Sequence, residues 1–140
     1  MGGINTGRWL LGGLVAGLFI FMFEGVSSMF YMEEMTVAME AHNLSMDMSA
    51  GAMVFFATIS LVSGLVLVFF YAVARPRFGP GMKTAAIVAI GLWTGGYLMT
   101  LLGYWSMHLF PNGMLVTWGL IGLVEMILAT ILGAWIYRED

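Results

Sequence analysis

Four long apolar stretches divide the chain and predict four membrane-spanning helices. They cover residues 9–32, 50–74, 84–107 and 114–136. Each stretch reaches the ~20 residues that a helix needs to cross ~30 Å of hydrocarbon. None of them shows the alternation of apolar and polar positions that is typical of membrane β-strands. We therefore expect an all-α integral membrane protein with a single four-span domain over residues 1–140.

The short segments between these stretches predict an antiparallel four-helix bundle, because short connections make consecutive helices antiparallel neighbours. Positively charged side chains occur only before the first stretch, between the second and third, and after the fourth: Arg8, Arg75, Arg77, Lys83 and Arg138. The positive-inside rule then predicts that both termini lie in the cytoplasm. The first apolar stretch is longer than the core of a signal peptide, so we expect it to be a retained span.

The composition agrees with a membrane protein and excludes several kinds of functional site. Hydrophobic residues make up 61% of the chain and charged residues only 9%, whereas about a quarter of a soluble domain is charged. The chain has no cysteine, which excludes disulfides and thiolate sites. It contains no recognisable catalytic motif and no basic face for nucleic acid. We expect a protein that is not an enzyme, needs no cofactor, and contacts the lipid bilayer and other membrane subunits or further copies of itself.

Two glutamates lie inside apolar stretches that carry no other charge. A charged side chain at this depth costs at least about 2.5–3.5 kcal/mol, so an intramembrane acid is by default a candidate functional residue. At the rise of an α-helix, both acids fall roughly 15–22 Å from the arginine-bearing ends of their helices. Three hydroxyl-bearing side chains fall in the same layer. The candidate proton- or cation-binding residues are Glu24, Glu125, Tyr97, Thr94 and Ser63.

A structural role for the two acids is the alternative. Protonated carboxyls can serve as interhelical hydrogen-bond partners, which contribute about 0.6 kcal/mol each on average. Small residues four positions apart occur in every span, and such pairs let helix backbones approach closely in lipid. The predicted packing pairs are Gly13 with Gly17, Ser60 with Gly64, Gly91 with Gly95, and Ala129 with Gly133.

Methionine and histidine are frequent in the segment after the first span. Met32, Met35, Met39 and His42 recur at steps of three, four and three, which places them on one face if the first helix continues beyond the membrane. Thioether and imidazole groups suit Cu(I), so the pattern supports a copper site. The alternative is an interfacial amphipathic helix in which methionine is only an adaptable apolar filler.

Three segments together resemble a family of small bacterial four-span membrane proteins without an assigned activity. They are WLLGGLVAG at residues 9–17, YAVARPRFGPGMKTA at residues 71–85, and LVEMILATILGAWIYRED at residues 123–140. The resemblance implies a four-span fold and a bacterial source, and it transfers no functional residue. In size and in having a glutamate in its first span the chain is also similar to small multidrug-resistance transporters. That similarity is architectural only, because the charge bias is stronger here and the first outer loop is longer.

Three functions are compatible with the sequence. The first is a non-enzymatic structural or accessory subunit of a larger membrane assembly, because small-residue faces on all four helices exceed the needs of a minimal bundle. The second is a small oligomeric transporter or channel in which Glu24 and Glu125 bind a proton or cation. The third is periplasmic copper handling by the methionine-rich loop. Each implies a multi-pass protein of the bacterial inner membrane, and the loops alone do not tell whether the two acids meet.

Overall fold

The computed structural model describes residues 3–138, and this part of the chain is helical without any strand. Four of its helical segments are long and apolar enough to cross a membrane, which confirms the prediction of four long apolar helices. Their bounds are Thr6–Phe30, Ala50–Phe78, Met82–Ser106 and Asn112–Ile136.

Five α-helices and two short irregular helical segments build these spans, and a sixth α-helix lies between the first and second spans. The first span is α1 followed by a 3₁₀ turn, and the third is divided by a π-helical segment between α4 and α5. The helices are α1 Thr6–Ser27, α2 Met32–Ala41, α3 Ala50–Phe78, α4 Met82–Leu92, α5 Met99–Ser106 and α6 Asn112–Ile136, with the 3₁₀ turn at Ser28–Phe30 and the π segment at Trp93–Leu98.

The first helix is shorter than the sequence predicts, and α2 is not its continuation. At the end of α1 the hydroxyl of Ser27 donates to the carbonyl of Glu24, and that of Ser28 donates to the carbonyl of Gly25. Such local bonds compete with the helical ladder and bend the backbone. Tyr31, at φ −130°, then separates the 3₁₀ turn from α2. The helix therefore ends at Ser27, where serines offer its carbonyls other donors, and the candidate span ends at Phe30, close to the predicted boundary at residue 32.

The second helix is longer than predicted and includes Pro76 in its last turns. The turn into the third span is consequently confined to Gly79 and its neighbours. Gly79 and Gly81 have φ of +83° and +116°, a backbone conformation that side chains other than glycine rarely adopt. The phenol of Tyr71 accepts a 3.0 Å hydrogen bond from the Gly81 backbone N–H and holds the turn against α3.

Glycines on α1 allow the backbones of α3 and α6 to approach the backbone of α1 closely. A Cβ atom on Gly64 would overlap the backbone of Gly13 and Gly17, so α3 lies directly on α1. A Cβ on Gly12 would lie 2.7 Å from the carbonyl oxygen of Gly133 on α6. Lipid supplies no hydrophobic drive between helices, so close approach at small residues is what holds such helices together.

The third span uses its glycines differently. A Cβ on Gly91 or on Gly95 would have no heavy atom within 4 Å. Within its most apolar window 17% of the third span is buried, against 33% for the first and fourth spans. The Gly91/Gly95 face therefore makes no close helix contact in the described part of the chain, whereas Ala129 on α6 is fully buried.

The bundle has two ends of different chemistry. At the basic end, which carries the arginines, the rings of Tyr71 and Tyr137 meet edge to face at 6.1 Å, and the phenol of Tyr137 accepts from the backbone N–H of Asn5. At the methionine end, α2 packs on the start of α6 through a small core. The buried members of that core are Tyr31, Ala38 and Met114, with Met35, Phe110, Trp118 and Ile121 packed around them.

Candidate functional site

Glu24 on α1 and Glu125 on α6 meet between these two ends. The carboxyl of Glu125 lies within hydrogen-bonding reach of the carboxyl of Glu24. Only 4% of the Glu125 surface is exposed, and Glu24 is half-buried. The close contact of α1 with α6 at Gly12 and Gly133 makes this approach possible, because bulkier residues there would hold the helices apart.

Tyr31 completes the pair from the methionine end. Its phenol donates a 2.9 Å hydrogen bond to Oε2 of Glu24, seven residues earlier in the chain. Tyr31 lies one residue beyond the first span and is itself buried. Burial, and then the neighbouring Glu24 carboxyl, raise the pKa of Tyr31, so its hydroxyl remains a donor. Sequence reasoning missed this residue, because the contact depends on the break between α1 and α2, which the apolar pattern does not predict.

The π segment Trp93–Leu98 places Tyr97 beside the two acids. A Cβ on Gly122 would lie 2.7 Å from Cζ of the Tyr97 ring, so the ring rests on a glycine one turn from Glu125. Tyr97 is near enough to interact electrostatically with both Glu24 and Glu125. A π segment adds a residue to the turn and thereby re-aims the side chains around it, and such segments are frequent at functional sites.

Two buried polar atoms near the pair lack a hydrogen-bond partner within residues 3–138. They are Oε1 of Glu125 and Nε1 of Trp118. The ring of Trp118 meets that of Tyr31 edge to face at 5.5 Å, so both atoms belong to the same neighbourhood. Buried polar atoms in folded proteins are nearly always paired with protein or ordered water. The Glu125 oxygen can therefore accept one further hydrogen bond, and the Trp118 N–H can donate one.

This arrangement can hold a single proton between two carboxyls. Two carboxylates in contact in an apolar layer cannot both stay ionised, because their repulsion and the loss of hydration add together. Tyr31 donates a hydrogen bond to Glu24, and Glu125 is the more deeply buried of the two carboxyls. Over the described residues no group of three or more His, Cys, Asp or Glu side chains could hold a metal ion.

The other two candidates of the acid layer are not among the side chains that interact with the pair within residues 3–138. Thr94 is exposed, and its hydroxyl donates a 2.8 Å hydrogen bond to the carbonyl of Ile90 in its own helix. Ser63 is half-buried on α3. No hydrogen bond described for the pair involves either residue. The structure therefore brings together Glu24, Glu125 and Tyr97 of the five predicted candidates.

The methionine-rich region forms a separate cavity of about 580 Å³ between α2, the following loop and α3. Met35 and Met39 line it as the sequence suggested, but Met32 and His42 do not, and His42 is exposed. The lining residues are Met35, Met39, Ser45, Met46, Asp47, Gly51, Ala52, Phe55 and Phe56. Three thioethers thus share one cavity, with Met46 taking the place predicted for His42.

Comparison of the chain with protein-family models, with curated proteins and with solved structures gave no match. The resemblance to bacterial four-span proteins therefore stays a prediction. The chemistry of the Glu24–Glu125 pair is the strongest basis for a functional conclusion.

Proposed function

We propose that this chain is a small proton-binding membrane protein of the transporter or channel class, in which Glu24 and Glu125 together bind and release one proton within the membrane. The observation that carries the proposal is the carboxyl–carboxyl contact of an almost fully buried Glu125 with Glu24. Packing alone does not require such a contact, because leucine or glutamine would fill the same space without bringing two acids together.

A proton fits this site better than a divalent metal ion. Calcium takes six to eight oxygen ligands and magnesium demands an octahedral set. The pair offers two carboxyls, and Tyr31 already directs its hydrogen atom at Glu24. A proton needs only the two facing oxygens, and it removes the repulsion that the pair would otherwise suffer.

The membrane arrangement is part of the proposal. We place the four spans in alternating directions in a bacterial inner membrane, with both termini in the cytoplasm. Support comes from the charges, since Arg8, Arg75, Arg77, Lys83 and Arg138 all belong to one end of the bundle under this arrangement. It also comes from contacts at that end between Asn5 and Tyr137 and between Tyr71 and Gly81.

Infrared spectroscopy of the protein in lipid tests the proposal. A protonated carboxyl in an apolar layer gives a C=O stretching band that disappears on ionisation. We expect such a band, with Glu125→Gln removing it and Glu24→Gln shifting its titration. Glu40→Gln, an exposed acid on α2, is the matched control and should leave the band unchanged. No carboxyl band at any pH, or a band insensitive to Glu125→Gln, would contradict the proposal, and suppression by sodium ions would point to a cation instead.

An accessory role in a larger assembly is the second candidate function, and one observation favours it. The Gly91/Gly95 face of the third span is open, because a Cβ on either glycine would meet no heavy atom of residues 3–138 within 4 Å. Small-residue faces are where membrane helices associate, so this face suits a helix of another subunit or of a second copy.

Native mass spectrometry of the complex purified gently from its own membranes tests the second candidate. An accessory subunit should carry fixed partners in constant ratio, and Gly91→Leu/Gly95→Leu should release them. Gly103→Leu, at another open glycine of the same span, is the control. A chain that purifies alone, without change in the double variant, would exclude the accessory role.

A further inference from the structure

The two halves of the bundle are packed differently on either side of the acid pair. Toward the basic end, Ala129 and Thr130 on α6 are completely buried, and the Thr130 hydroxyl is paired at 2.6 Å with the carbonyl of Met126. Next to them the backbones of Gly12 and Gly133 touch. This half is close-packed, and its fully buried Thr130 hydroxyl is already paired within its own helix.

Toward the methionine end the packing is aromatic and polar atoms are left over. Trp118 lies seven residues before Glu125 on α6, which is two helical turns and about 10 Å on the same face. Its Nε1 and the Glu125 Oε1 are both buried and have no hydrogen-bond partner within residues 3–138. An unpaired donor and an unpaired acceptor on one helix face are the groups that ordered water bridges in protein interiors.

Tyr31 connects this face to the acids. Its ring packs on Trp118 and its hydroxyl bonds Glu24, so it spans the gap between the aromatic core and the carboxyl pair. A phenol can pass its own proton to one neighbour while it accepts another from water, and it is neutral before and after. The backbone around Tyr31 is a junction between the 3₁₀ turn and α2, so movement of α2 would move this hydroxyl.

We infer that the Glu24–Glu125 pair exchanges its proton only with the methionine end of the bundle, along Trp118 and Tyr31, and not with the basic end. This inference rests on the proposed function and adds the direction of access, with Trp118 and Tyr31 as positioning residues. The positive-inside rule puts the methionine end outside the cell, so the pair takes its proton from the outer solution.

Within the described residues, no other titratable side chain competes for the proton along this route. The groups that face the pair are Tyr31 from the start of α2 and Tyr97 from the π segment, with Tyr104 of α5 near Tyr97. The membrane part of α3 next to α1 contributes serines and apolar side chains only.

Charge movement in oriented proteoliposomes on a solid-supported membrane tests the inference. The chain has no cysteine, so Met48→Cys and Arg77→Cys, labelled with an impermeant maleimide, report which end faces the bath. A pH step applied at the methionine end should produce a transient current that Glu125→Gln abolishes. The same step applied at the basic end should produce none.

Variants along the route separate a relay from a structural role. Tyr31→Phe keeps the ring and removes the hydroxyl, and Trp118→Phe keeps an aromatic side chain, although a smaller one, and removes the indole N–H. Each should slow the transient by up to about tenfold, the upper range for one hydrogen bond, while the total displaced charge stays constant. Trp9→Phe is the control at the basic end, because its Nε1 also donates, to the Leu65 carbonyl at 2.8 Å. It should leave the rate unchanged.

Several results would overturn the inference. A transient of equal size from both ends, a transient from the basic end alone, or rates in Trp118→Phe and Tyr31→Phe equal to that in Trp9→Phe would each do so. If Trp118→Phe failed to fold, the comparison of the two ends in the unchanged protein would still decide. The infrared band distinguishes the failures, because a band without access from the methionine end refutes only the direction, whereas no band and no current refute the proposed function too.

Discussion

The phenol of Tyr31 donates its hydrogen bond to Oε2 of Glu24 from the opposite side of a break in the helix. The break turns the chain so that a residue at the start of α2 reaches back to an acid in α1. In a continuous helix, Tyr31 would lie two turns, or about 10 Å, beyond Glu24 along the axis, out of reach of that carboxyl. The interruption of the first helix is therefore part of the site.

Removal of this hydrogen bond should destabilise the protein without changing its fold. A hydrogen bond contributes about 0.5–1.5 kcal/mol, so Tyr31→Phe should lower the free energy of unfolding by that amount. Titration with a denaturing detergent, followed by circular dichroism, measures it. Tyr104→Phe removes a phenol from the neighbouring aromatic group and should cost less than about 0.5 kcal/mol. Equal losses in both variants would show that the Tyr31–Glu24 bond adds nothing.

Two glycine substitutions should have opposite effects. Gly64→Ala places a methyl group against the backbone of Gly13 and Gly17, and we expect it to cost about 1–3 kcal/mol by forcing α1 and α3 apart. Gly91→Ala enters open space and should gain about 0.5–1 kcal/mol from reduced chain entropy. Both are measured by unfolding in mixed micelles. A neutral Gly64→Ala would contradict the packing of α1 on α3.

Acid should loosen the start of α3 locally. The Ser49 backbone N–H donates to Oδ1 of Asp47 at 2.8 Å, and this bond holds the pKa of Asp47 below its ordinary value of 3.8. Because the pKa in the folded state is lowered, the stabilisation is present above pH 3.8 and is lost as the pH falls through the folded value.

Hydrogen exchange at the Ser49 amide measures this effect. Protection should fall on acidification in the unchanged protein and should be low at every pH in Asp47→Ala. Protection that is independent of pH would contradict the bond.

The copper hypothesis now makes a sharper prediction than the sequence allowed. If thioethers bind Cu(I), the triple variant Met35→Leu/Met39→Leu/Met46→Leu should lose binding of silver ion, a soft monovalent probe, because leucine keeps the apolar lining and removes the sulfur atoms. The control is Met29→Leu/Met48→Leu, at two exposed methionines that do not line the cavity. Equal binding in both variants, measured by isothermal titration, would exclude a copper site in this cavity.

Hydropathy predicted the number of spans because each helix must hide its backbone from lipid, a requirement that acts on every stretch independently. The ends of the helices were predicted less well where individual side chains change how a helix ends. Ser27 and Ser28 end α1 early through bonds to their own helix, and Pro76 is accepted inside α3 near its end. The π segment around Tyr97 follows no pattern in the apolar residues.

The sequence by itself determined that four apolar helices form, that two of them carry an acid at similar depth, and that small residues mark faces for close packing. These properties follow from local composition and helical periodicity, which a single chain segment contains completely. Only the tertiary structure decided that Glu24 meets Glu125, that Tyr31 and Tyr97 join them while Thr94 faces away, and that Gly91 and Gly95 stay open. The reason is that neighbour choice among helices depends on which backbones can approach, as Gly12 and Gly133 do, and that is a property of pairs of surfaces that no single segment contains.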